Sequence, residues 1–221
     1  MQFLSQWGEF LAAFGTFFLS HSIPVRPQVK SRITARIGTF GFTLTYSILS
    51  IAVLTWIISA AGRAPYIELW AWAPWQSHVT LIGMALACIL VTMAIGQPNP
   101  LSFGGWNNHQ FDPQNPGIIG WLHHPLLAGL FIWSASHLLP NGNLAHLIVF
   151  GLFAGFSLLG TRIINRRAKR ILGTAQWQRL TATKRQIQIT RRGLLRITLG
   201  LAIYLVILLS HATIIGVSPL P

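Results

Sequence analysis

Chemistry in this chain falls to histidine. Eight histidines stand against three acidic residues and one cysteine in 221 residues. The acids, Glu9, Glu68 and Asp112, are scattered, so no carboxylate pair for acid–base work is legible. No GxSxG, Walker-type loop or GxGxxG occurs, which leaves hydrolase and nucleotide-phosphate chemistry without a motif. Cys88 alone excludes an intrachain disulfide, CxxC redox chemistry and a cysteine-rich zinc site. No HExxH supports a histidine zinc site either. With oxygen ligands scarce, imidazole suits a haem iron or another nitrogen-rich metal site. The candidates are His21, His78, His109, His123, His124, His137, His146 and His211.

The elements that carry them are apolar. The chain is 52% hydrophobic and only 9% charged, with a mean hydropathy of +0.54. A soluble domain carries about 25% charged residues. Six stretches approach the roughly 20 apolar residues of a bilayer span: Phe3–Ile23, Gly38–Ala60, Ser77–Gly96, Gly117–Leu139, Leu144–Ile164 and Leu194–Val217. Continuous apolar runs without strict alternation predict helices rather than a barrel. The expected fold class is therefore all-α: an integral membrane bundle of about six transmembrane helices, with residues 1–221 as one domain. The first stretch lacks the basic flank of a signal peptide. Pro65–Trp75 has the aromatic composition of an interfacial belt. The proline-rich third connection, Gln97–Pro116, reads as a functional segment or an irregular cap.

Net charge is +13, and its distribution gives the topology. Arg26, Lys30, Arg32 and Arg36 lie in the first connection, and eleven basic residues lie in Arg162–Arg196. The odd-numbered connections thus hold 15 of the 16 basic residues, Arg63 being the exception. The positive-inside rule makes those connections cytoplasmic and puts both termini outside. The expected location is the bacterial inner membrane. Arg162–Arg196 then reads as a segment lying on anionic lipid, where each basic residue contributes about 1 kcal/mol. No nucleic-acid motif accompanies the charge.

Depth sorts the histidines. His21 precedes the basic Arg26, and His123 and His124 open the fourth stretch, so all three lie near the inner face. His137 follows His124 by thirteen residues, about 20 Å along a straight helix. It falls at the outer level with His78, His146 and His211. Spacing alone therefore pairs His21 with His123 or His124, and His137 with His78 or His211.

Several stretches in order resemble the NnrU family of bacterial membrane proteins: Leu19-Ser20-His21-Ser22, Gly96-Gln97-Pro98-Asn99-Pro100-Leu101-Ser102, Phe111-Asp112-Pro113 with Pro116-Gly117, His123-His124-Pro125-Leu126, Trp133-Ser134-Ala135-Ser136-His137-Leu138 into Asn141-Gly142-Asn143, and Gly216-Val217-Ser218-Pro219-Leu220. That family is named for a link to nitric oxide and nitrite metabolism in denitrifying bacteria. It is similar to the plastid 15-cis-ζ-carotene isomerase, a membrane protein that holds haem b through histidines. The resemblance implies haem b in the bundle, with ligands at His21 and His137, whereas helix depth keeps His124 as the competing partner of His21. Trp133, one turn before His137, would pack on a porphyrin at that level. Two departures stand out. His123-His124-Pro125 replaces the family's Arg-His-Pro, and Ser134 occupies the isomerase's cysteine position.

The leading expectation is a haem-binding protein of nitrogen-oxide metabolism, open to a small apolar or gaseous ligand. A haem-dependent isomerase of a carotenoid-like polyene is the alternative, followed by a membrane methyltransferase of the isoprenylcysteine type and by an assembly or transport factor without cofactor. Catalytic residues are not assigned. Reporter fusions after Arg36 and within Arg166–Arg192 are expected to read cytoplasmic, and fusions at Ala61–Gln76 and at the C-terminus external. An external signal from Arg166–Arg192 contradicts the topology.

Overall fold

The computed structural model describes residues 2–186 and 188–221, and of residues 2–5 the backbone alone. Seven α-helices and two 3₁₀ turns make up the described chain: α1 (Gln2–Ser22), α2 (Pro27–Arg63), α3 (Pro74–Ala94), α4 (Pro125–Leu138), α5 (Leu144–Leu172), α6 (Thr174–Thr181) and α7 (Arg191–Ile215), with the turns at Asn108–Gln110 and Gly117–Gly120. Among the described residues there is no strand, only an isolated bridge between Glu68 and Asn143. By length and composition α2, α3, α5 and α7 can each cross a membrane. Their exposed surfaces agree: Phe40, Val206 and Leu209 are each more than 60% exposed, which hydrocarbon tolerates and water does not. The protein is a helical membrane bundle.

Two compact units divide the chain, residues 1–69 with 143–149 and residues 70–142 with 150–221. In the first, α1 packs on α2. Trp7, Phe10, Phe14 and Phe17 form a buried stripe on α1 at helical spacing. Neighbouring rings meet edge to face, with Phe10 and Phe14 centroids 4.9 Å apart. Glu9 pins one end of this hairpin: Arg63 Nε donates to Oε2 at 3.0 Å, and Trp56 Nε1 to Oε1 at 3.2 Å. Within α2, Gly38 leaves helical geometry at φ 73° and ψ 170°. Glycine alone adopts that conformation readily. The break separates the basic Pro27–Ile37 stretch from the apolar Thr39–Arg63 stretch, at the boundary that hydropathy predicts.

In the second unit α3 packs against both α4 and α7. Small residues allow the approach, as membrane helix packing requires. A Cβ on Gly83 would lie 2.7 Å from Ser136 Cβ, and one on Gly200 would lie 2.8 Å from Ile89 Cα. Thr80 Oγ1 donates to Ser136 O across the α3–α4 contact at 2.8 Å. At the C-terminal end of α3 Arg196 caps the helix, donating to the carbonyls of Thr92 at 2.6 Å and Ile95 at 2.8 Å. With the Gln97 amide turned so that its oxygen faces the guanidinium, Arg196 also donates to it at 2.6 and 2.9 Å. A cation on a helix C-terminus answers both the unpaired carbonyls and the dipole.

The third connection is an irregular cap built on side-chain hydrogen bonds. Buried Asn99 accepts from Leu101 N at 3.0 Å and donates to His123 O at 3.0 Å. Asp112 closes its own turn: the Asn115 amide and the Gln114 N–H hold its carboxyl below the usual carboxylate range. Thr183–Gln186 lies against this cap, with Lys184 N donating to Pro113 O at 2.9 Å.

One boundary departs from the sequence expectation. The fourth stretch, Gly117–Leu139, is helical only over Pro125–Leu138, fourteen residues. Pro116 and Pro125 bracket the difference. Pro125 disfavours helix at His124, which takes φ −123° and ψ 63°, and Gly117–Gly120 closes as a 3₁₀ turn instead. Gly200→Ala is expected to lower stability in a detergent unfolding titration by about 1–3 kcal/mol, because the added methyl meets α3 backbone. Gly155→Ala, with nothing within 4 Å of its Cβ, is expected to be neutral or stabilising. Equal behaviour of the two contradicts close α3–α7 packing.

Candidate functional site

His21 continues the buried stripe of α1, one turn beyond Phe17. Its Nδ1 lies 2.9 Å from Phe17 O and 3.1 Å from Ser20 Oγ. A carbonyl only accepts, so Nδ1 carries the proton and Nε2 keeps its lone pair. Among the described residues no hydrogen bond engages that Nε2. Two aromatic rings enclose the imidazole: Phe17 at 4.2 Å between centroids and Tyr46 of α2 at 5.6 Å. Phe42 stacks behind Tyr46 at 5.8 Å and 11°. Tyr46 and Phe42 are functional neighbours that the sequence reading missed. Their spacing of four residues on α2 was the available signal.

His137 repeats the arrangement in the other unit. Its Nδ1 donates to Trp133 O at 2.8 Å, which again leaves Nε2 with the lone pair. Trp133 and Phe150 flank the ring at 5.6 and 5.3 Å. Trp133 also meets Phe153 edge to face at 5.6 Å. The structure therefore joins Trp133 to His137, as their one-turn spacing predicts. His211 lies within electrostatic reach of His137, and its own Nδ1 donates to Val217 O at 2.7 Å.

His124 differs. It stands at the N-terminal end of α4, buried, with Nε2 3.0 Å from Asn165 Oδ1. That oxygen accepts the Nε2 proton, so the lone pair rests on Nδ1, a fully enclosed atom without a hydrogen-bond partner. His124 and His137 occupy opposite ends of α4. Asn165 was not singled out by sequence, although it is the one uncharged polar residue between Ile164 and Arg166. His123 Nε2 reaches Thr183 Oγ1 at 3.3 Å, and exposed His109 lies in the cap.

The remaining histidines serve helix ends. His78 Nδ1 donates to Pro74 O at 2.9 Å in the first turn of α3. His146 sits under Asn143, whose Oδ1 accepts from the His146 backbone N–H at 3.0 Å and caps α5. The bond to a backbone carbonyl is thus not unique to His21 and His137. Enclosure by aromatic rings in an apolar helix distinguishes them.

These donors fit a haem iron. A ligating imidazole needs a free Nε2 and an Nδ1 proton held by an acceptor, which fixes ring orientation and raises basicity. His21 and His137 each meet both conditions and add flat apolar walls. Among the described residues no group of three or more His, Cys, Asp or Glu converges on a metal position, so a bare-ion site has no candidate there. Ser134 is fully buried, and its hydroxyl donates to Leu130 O at 2.8 Å. It cannot replace the thiolate that the isomerase carries at this position.

Neither a curated protein nor a solved structure matches the chain. A family model described as NnrU protein matches residues 9–219. That span covers both compact units and contains His21, the Asn99 cap, His124 and His137, so the chain belongs to the NnrU family.

Proposed function

We propose that this protein binds haem b within the membrane, with His21 and His137 as the axial-ligand candidates that the family resemblance implies, and serves nitric oxide and nitrite metabolism from the bacterial inner membrane. The observation that carries the haem reading is the shared state of these two imidazoles: Nδ1 bound to the carbonyl four residues back, Nε2 unengaged, rings walled by aromatics. His124 is the weaker partner, because Asn165 already takes its Nε2. The link to nitrogen-oxide chemistry rests on family membership. Bound haem supplies one-electron chemistry and affinity for small gaseous ligands. The chain contributes orientation of the imidazoles and a dry, apolar surround that sets dielectric and solvent access. Trp133, whose ring lies 5.6 Å from that of His137, would supply an apolar wall to a haem held there. The Arg162–Arg196 segment holds the inner face on anionic lipid through its uncompensated charge.

The test is the visible spectrum of detergent-purified protein, oxidised and reduced. The wild type is expected to show a Soret band and sharp α and β bands on reduction. His21→Ala and His137→Ala are each expected to remove the low-spin spectrum, since losing an axial imidazole leaves iron five-coordinate or unbound. His124→Ala is expected to leave it unchanged. A colourless protein that takes up no haem overturns the proposal. Loss in His124→Ala with retention in His137→Ala transfers the second ligand to His124.

A further inference from the structure

Between the start of α4 and the middle of α5 lies an apolar groove of about 340 Å³. It is a small-molecule-sized space, and the haem proposal does not use it. Leu127, Ala128 and Phe131 of α4 form one wall, and Ser157, Leu158 and Thr161 of α5 the other. The polar groups in these walls are spent: Ser157 Oγ donates to Phe153 O at 3.0 Å and Thr161 Oγ1 to Leu158 O at 2.7 Å. His124, bound to Asn165, lines the groove. Trp121 and Leu158 in its lining are each at least half exposed, so the groove is open to the surroundings.

The rim is basic. Arg185 lies close enough to His123, which lines the groove, for their charges to interact. The segment that carries Arg185 is fixed over the cap by Lys184 N to Pro113 O at 2.9 Å and Gln186 Nε2 to Gln114 O at 2.8 Å. Arg162 stands one turn beyond Leu158 on α5, exposed at the same mouth. No acidic residue occurs between Arg162 and Arg196. An apolar slot flanked by exposed, uncompensated cations matches an anionic amphiphile.

We propose that this groove is a specific site for one anionic phospholipid, with an acyl chain between α4 and α5 and the headgroup phosphate against Arg162 and Arg185. The site rests on the anionic-lipid reading of the polybasic segment and sharpens it from a diffuse surface attraction to a defined pocket. It is independent of haem. Basic pockets on the cytoplasmic side of membrane helices bind anionic headgroups in this way. A guanidinium also matches a phosphate with two parallel N–H donors, which ammonium cannot.

The test is lipid retention by the full-length protein in native mass spectrometry, titrated with dioleoylphosphatidylglycerol and, separately, dioleoylphosphatidylcholine. Both probes carry the same chains and differ only in headgroup. The wild type is expected to retain one phosphatidylglycerol in preference to phosphatidylcholine. Arg162→Gln with Arg185→Gln, both on the surface, is expected to reduce that preference by about tenfold or more. Arg166→Gln with Arg167→Gln removes the same charge from the same segment and is expected to keep it. Ala128→Phe fills the groove and is expected to weaken retention of phosphatidylglycerol. Equal loss in the two arginine pairs overturns the site and leaves the diffuse reading standing. Equal binding of the two lipids by the wild type overturns both. Unchanged retention in Ala128→Phe overturns the acyl slot, and full displacement by inorganic phosphate shows a phosphate site that needs no lipid.

Discussion

In hydrocarbon no water pairs with a hydroxyl, an imidazole or a carbonyl, so each must find its partner in the chain. Most hydroxyls on the long apolar helices obey this. Ser50, Thr55, Ser134, Ser157 and Ser210 all donate to a carbonyl three or four residues back. Arg196 takes up the carbonyls that α3 leaves open at its end, and Thr92 Oγ1 returns a bond to Arg196 O at 2.9 Å. Asn99 does the same for the turn before α4. In the third connection irregular backbone is answered by side chains of this kind. Against that background the few polar atoms left over gain meaning. Nε2 of His21 and of His137 are such atoms, and both sit among aromatic rings rather than at a wet loop.

The same constraint explains what could be read from sequence. The positions of the long apolar helices follow from apolar length, which one residue after another reports locally, whereas the polar α6 (Thr174–Thr181) gives no such signal. The Gly38 break was visible as a boundary because charge ends and apolar character begins there. The stripe Trp7, Phe10, Phe14, Phe17 and His21 is likewise local and predicts that His21 points with the aromatic rings. The short α4 was partly visible in Pro125, but a proline in a long apolar run also occurs in kinked spanning helices. Hydropathy averages over such a break and does not see it.

Long-range pairings were out of reach. Nothing near Arg196 in sequence distinguishes it from ten other basic residues in the same connection, yet it caps a helix about a hundred residues earlier. Charge counting treated it as one basic residue among eleven, and the fold gives it a structural part. Asn165 and Tyr46 were missed for the same reason: each matters through a histidine on another element. The motif Gly96–Ser102, quoted for the family resemblance, supplies Gln97 and Asn99, and these hold Arg196 and the turn before α4. The proposed function rests on the two histidines flanked by aromatic rings.

The central claim is that the helix itself sets the tautomer of His21 and His137 and so presents Nε2 outward before any ligand arrives. Nitrogen-15 NMR of histidine-labelled apoprotein in nanodiscs, assigned by His21→Gln and His137→Gln, reports this directly, since protonated and unprotonated ring nitrogens resonate far apart. The account predicts a proton on Nδ1 and a lone pair on Nε2 at both residues at a pH where imidazole is neutral. A proton on Nε2 at either residue, with Nδ1 bare, contradicts it.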